Sequence, residues 1–107
     1  MSMYVDILSS ALDIWVDELA GPALIDYAMS CRAEMLGAGP HCGATAYSSL
    51  AAEIAYDRAL IKLCETIGVT VMATSFAYPR EERARLERSL ANSGIDLPAL
   101  ARRRHEL

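Results

Sequence analysis

Apolar residues recur along this chain at the three- and four-residue steps of a helix, and Gly and Pro divide them into segments. The longest segment is 46–67. Tyr47, Leu50, Ile54, Ile61 and Cys64 form one row, and Tyr56, Leu60, Leu63 and Ile67 form a second beside it. Two rows make a face wider than a coiled-coil seam, so the other segments are expected to pack around this helix. A single acid, Asp57, interrupts the face between Ile54 and Ile61. Thr45 suits the N-cap, because its hydroxyl can accept an orphan backbone N–H. Gly68 fits the left-handed C′ position, with Val69 at C″ reaching back to Cys64.

The same pattern predicts a first helix over 3–20. Tyr4, Leu8, Leu12, Trp15 and Leu19 mark its apolar side, joined by Val5, Ala11 and Val16, while Asp6, Ser10, Asp13 and Asp17 line the other. Gly21-Pro22 ends it and opens a second helix to about Leu36, with Leu24, Ala28, Cys31 and Met35 facing inward. Residues 37–44 read as a Gly-rich loop. The β-branched residues of 69–78 allow an extended segment, but a lone strand needs a partner. The preferred reading is a connector that covers the core with Val71, Met72 and Phe76. Pro79 starts a fourth helix with Glu81 and Glu82 in its first turn, where the helix dipole favours acids. Its apolar stripe of Leu86, Leu90 and small Ala residues is narrow, and Glu81–Arg85 and Arg83–Glu87 are spaced for pairing along the helix. Gly94 ends it with Ile95 at C″, and Asp96 caps a short fifth helix in which Ile95 and Leu100 are spaced as a hydrophobic staple.

The expected fold is therefore all-α: a small antiparallel bundle of about five helices, three main ones and a short C-terminal helical pair. A chain of 107 residues forms one domain, 1–107. A hydrophobic content of 53% and a mean hydropathy of +0.19 argue against disorder. They also fit an apolar surface covered by a second copy. No signal peptide or membrane span is expected, since Asp6 and Asp13 break the first apolar stretch. A cytoplasmic location follows, and with three cysteines, an odd number, free thiols are expected.

The net charge of −4 is unevenly spread. Residues 1–78 carry nine acids and three bases (−6), and residues 79–107 carry five acids and seven bases (+2). The acidic majority argues against broad nucleic-acid binding. The arginines of the last two helices keep a DNA-associated regulator open as an alternative, although no aromatic residues interleave them for stacking on bases.

Candidate chemistry is sparse. His41 and Cys42 stand in the Gly-rich loop near a helix N-terminus that could lower a thiol pKa, but no second His lies nearby. Cys31, His41, Cys42 and Cys64 have the ligand types of a zinc site without its short paired spacing, so buried Cys31 and Cys64 are read as small apolar residues and no metal or cofactor is expected. Gly37, Gly39 and Gly43 precede a helix N-terminus but lack the Lys of a phosphate-binding loop. Glu53, Tyr56 and Asp57 form the last group. Glu53 and Asp57 lie one turn apart on one side, and a buried Asp57 must find a cation, a hydroxyl or a proton. Arg32 or a Tyr hydroxyl is the expected partner.

With no diagnostic catalytic motif, the chain reads as a non-enzymatic interaction or regulatory module, expected to form a homodimer and open to a further protein partner. The alternative is a small ligand-binding protein or enzyme whose site joins His41 and Cys42 to Glu53, Tyr56 and Asp57.

Overall fold

The computed structural model describes residues 3–13, 21–36 and 46–105. Among these residues five α-helices follow one another: α1 (Met3–Asp13), α2 (Pro22–Met35), α3 (Ala46–Thr66), α4 (Pro79–Asn92) and α5 (Leu97–His105). A 3-10 turn, Ala73–Ala77, lies between α3 and α4. The helices pack as a small antiparallel bundle, and the Cα radius of gyration is 13.3 Å, close to the roughly 13 Å of a compact chain of about 100 residues. None of the described helices is long and apolar enough to cross a membrane.

Helix α3 is the core element. It packs against α2, α1 and α4, and its apolar face is used on several sides at once: Ile54, Tyr56, Ala59, Leu60, Ile61, Leu63 and Cys64 are all buried. Leu8 of α1, Leu24, Ala28, Met29 and Cys31 of α2, Leu86 and Leu90 of α4 and Leu97 of α5 complete the core. The wide face expected of 46–67 is what lets one helix serve three neighbours.

Backbone punctuation follows the glycines and prolines. Gly21 takes φ +55°, and its carbonyl accepts from Leu24 and Ile25 at 3.1 and 3.2 Å, which starts α2 with Pro22 in its first turn. Both expected Schellman endings form. Val69 N donates to Cys64 O at 2.9 Å and Gly68 N to Glu65 O at 3.1 Å; Ile95 N donates to Leu90 O at 2.8 Å and Gly94 N to Ala91 O at 3.0 Å. Gly68 and Gly94 have φ +82° and +99°, a region costly for any residue with a Cβ. Asp96 caps α5, its Oδ1 accepting from Ala99 N at 3.1 Å, and Ile95 and Leu100 pack against the core.

Three expectations need correction or fall outside these residues. The extended stretch after α3 reaches only to Met72 (φ −100°, ψ 144°) and then tightens into the 3-10 turn, where Ser75 N donates to Met72 O at 3.0 Å. Val71 and Phe76 cover the core as expected, but Met72 points to solvent at 66% exposure. Extended backbone sends neighbours to opposite sides, so the burial of Val71 turns Met72 outward. The charged pairs expected along α4 also re-form: Arg85 bonds to Glu82 at 2.7 Å, and Arg83 and Glu87 both turn to other helices. The second half of the expected first helix (14–20, with Trp15, Val16, Asp17 and Leu19), the Gly-rich loop and the Thr45 cap lie outside the described residues.

Candidate functional site

Asp57 sits one turn after Glu53 on α3, on a face covered by α1 and α4. Its carboxylate is wholly buried. Arg83 of α4 meets it side-on, with one edge of the guanidinium: Nε donates to Oδ1 at 2.7 Å and Nη2 to Oδ2 at 2.9 Å. The hydroxyl of Tyr4 on α1 donates to the same Oδ2. Arg83 Nη2 also donates to Glu53 Oε1 at 3.4 Å. Three helices are thus tied at one acid.

A second tie lies one residue back on α3 and one turn on along α4. The hydroxyl of buried Tyr56 donates to Glu87 Oε2, and Arg32 Nε of α2 donates to the same oxygen at 3.3 Å. A third tie uses Arg58. Its Nη1 donates to the carbonyl of Ala11 at 3.3 Å and its Nη2 to the hydroxyl of Tyr27 at 2.9 Å, linking α3 to α1 and α2.

The expected partner of Asp57 therefore divides into one correction and one agreement. Arg32 is not the cation; it serves Glu87, and Arg83 takes its place. A tyrosine hydroxyl is present, from Tyr4. Tyr56, grouped in sequence with Glu53 and Asp57, belongs to the other tie, because consecutive helical residues point about 100° apart. Glu53 and Asp57 are brought together through Arg83. His41 and Cys42 lie outside the described residues.

Tyr4 and Arg83 were missed as site residues, yet a signal existed. Arg83, Leu86 and Leu90 form a single helical row, so Arg83 occupies an apolar position on α4 as Asp57 does on α3. Two opposite charges, each misplaced on an apolar stripe, are candidates for one another.

The titration behaviour follows from burial. Desolvation pushes the Asp57 carboxyl above its ordinary value, opposed by the bonds from Arg83 and Tyr4, which favour the anion. Burial disfavours the Arg83 cation, but the Asp57 carboxylate outweighs it and its pKa is raised. The Tyr4 and Tyr56 phenols are raised by burial and by the carboxylates they bond, so both keep their protons. Burial lifts the Cys64 thiol to about 11 and raises Cys31 as well. Neither thiol is poised as a nucleophile.

A general base must reach a substrate proton. Both Asp57 oxygens already accept from Arg83 and Tyr4 and neither meets solvent, so this carboxylate acts as a structural anchor between helices. Glu53 and Tyr4 of this tie reach a shallow recess of about 390 Å³, which they line with Tyr78, Pro79, Arg80 and Glu81. Among the described residues, no three His, Cys, Asp or Glu side chains gather as a metal-ligand set. Cys31 and Cys64 are buried free thiols within the apolar core. Of the basic residues considered for phosphate contact, Arg83 and Arg85 are engaged by Asp57 and Glu82, whereas Arg80, Arg88, Arg102 and Arg103 are exposed.

A second recess, of about 290 Å³, opens between α1 and the first half of α3. Ile7, Ala11, Leu50, Ala51, Ile54 and Ala55 form its walls, and Arg58 lines it as well. No protein-family model, curated protein or solved structure matches this chain.

Proposed function

We propose that this chain is a non-enzymatic helical interaction module that pairs with a second copy of itself. The observation that carries this reading is a group of large apolar side chains left outside the core. Met3 is 71% exposed, Met72 66% and Tyr78 72%. Scattered exposed apolar residues are ordinary, but these belong to neighbouring elements. The 3-10 turn between Met72 and Tyr78 packs against α1, and Tyr4 lines one recess with Tyr78. Apolar residues with aromatic and Met character are the type enriched at interface centres.

A second copy is favoured as the partner by charge. The chain carries −6 over 1–78 and +2 over 79–107, so a two-fold pair can set the acidic part of each copy against the basic end of the other. The internal use of these acids supports the non-enzymatic part of the reading: buried Asp57 and half-buried Glu87 hold helices together through Arg83, Arg32 and two tyrosines. A cytoplasmic setting is proposed from the two buried free thiols, Cys31 and Cys64.

Native mass spectrometry and light scattering across a concentration series test the reading. The wild type is expected to be a dimer, and Met72→Asp and Tyr78→Asp, both at exposed positions, are expected to give folded monomers. A wild type that stays monomeric at the highest concentration, or aspartate variants that remain dimeric, would overturn it.

A further inference from the structure

The recess between α1 and α3 combines an apolar wall with a fixed cation. Its walls are apolar yet open to solvent: Ile7 and Ala51 are exposed, and Leu50 and Ala55 only partly covered. The small Ala11, Ala51 and Ala55 leave space between the larger Ile7, Leu50 and Ile54. The second feature is the Arg58 guanidinium in the lining. It is fixed from two sides, by the Ala11 carbonyl of α1 and the Tyr27 hydroxyl of α2. A cation held in place beforehand loses little freedom when an anion meets it. The volume of about 290 Å³ falls just below the roughly 300–1,000 Å³ of ordinary ligand pockets, so the occupant must be small.

We propose that this recess binds a small hydrophobic carboxylic acid, with the alkyl chain against Ile7, Leu50, Ala51 and Ile54 and the carboxylate at Arg58. An apolar slot alone accepts any greasy molecule, whereas the positive charge in its wall selects an anionic head group through a charge-assisted hydrogen bond. The volume suits a free short-chain acid and is too small for the two chains of a phospholipid. The site shares no residue with the Met3, Met72 and Tyr78 surface, so it stands whether or not the chain pairs with itself.

Calorimetric titration of the full chain with octanoate, and in parallel with octanol of the same chain length, tests the assignment. Octanoate is expected to bind about tenfold or more tightly than octanol, the factor a charge-assisted contact supplies. Arg58→Gln should bring octanoate down to the level of octanol while octanol affinity holds. Because Arg58 also ties three helices, Ala51→Leu serves as a second variant: it fills the recess from an exposed helical position and should abolish binding of both probes with folding intact. Equal affinity for the acid and the alcohol, no binding of octanoate, or unchanged octanoate binding by a folded Ala51→Leu chain would each overturn the proposal.

Discussion

Replacing Arg83 by Met tests whether Asp57 is held as an ion in a dry pair. The Arg83 side chain is 10% exposed and Asp57 not at all, and two short bonds join them. Met keeps much of the apolar length of Arg, so packing changes little while the counter-charge disappears. Asp57 would then be a buried carboxylate with Tyr4 as its remaining donor among the bonds described. Breaking a buried pair from one side costs about 3–5 kcal/mol. A domain of this size has a total of about 5–15 kcal/mol, so the melting temperature should fall on the order of 15–30 °C. Removing the whole polar unit behaves differently. The triple variant Tyr4→Phe, Asp57→Leu, Arg83→Met leaves no orphaned buried charge and should recover most of the loss, as apolar replacement of buried pairs often does. Urea unfolding followed by far-UV circular dichroism measures both chains, with the slope checked for two-state behaviour.

The pH dependence adds a second reading of the same variant. A carboxyl whose folded pKa is raised binds its proton more tightly when folded, so the folded state loses stability as pH rises from the unfolded value towards the folded one. Burial already raises Asp57, and losing Arg83 removes the strongest opposing influence. The deficit of Arg83→Met relative to wild type should therefore shrink on acidification from neutrality towards the ordinary Asp value of about 4. A deficit under about 1 kcal/mol at neutral pH, the size of an exposed pair, would refute the reasoning. So would a deficit that grows in acid.

Other outcomes follow from the same geometry. Tyr56→Phe removes one donor from Glu87 while leaving Arg32, so urea unfolding should register a loss of about 1–2 kcal/mol, smaller than that of Arg83→Met. Gly68→Ala meets no atom within 4 Å, so its cost comes from the φ of +82° alone and should be about 1–2 kcal/mol in the same assay. In a Cys42→Ser background, Cys31 and Cys64 should react with a thiol reagent at mildly alkaline pH only as fast as the bundle opens, giving labelling rates that track unfolding rates across destabilised variants. The buried Cys64 thiol, raised to about 11, contributes stability that is complete below its unfolded pKa of about 8.5 and is lost as pH rises from there towards 11; urea midpoints should fall across that window, and less so in Cys64→Ala.

The sequence by itself determined the helical segments, the starts at Pro22 and Pro79, the endings at Gly68 and Gly94 and the dominance of α3. Those features rest on local physics: apolar steps of three and four, Pro at a first turn, Gly where φ must be positive, and Asp96 within reach of the amide of Ala99. Asp57 also stood out, because an acid on an apolar stripe is legible without any contact. Its partner was not legible. Arg32, Arg58 and Arg83 all lie on helices that pack with α3 or belong to it, and pairing depends on the rotation of each helix about its axis, which depends on how the whole core fits. Tertiary packing assigned Arg83 to Asp57, Arg32 to Glu87 and Arg58 to Tyr27, and it overrode the weak pairs along α4, each of which would have contributed only about 0.2–0.5 kcal/mol. It also turned Met72 outward and opened the recess at Ala11, Ala51 and Ala55. A cavity is a property of two surfaces that fail to meet, and a single strand of sequence carries only one of them at a time.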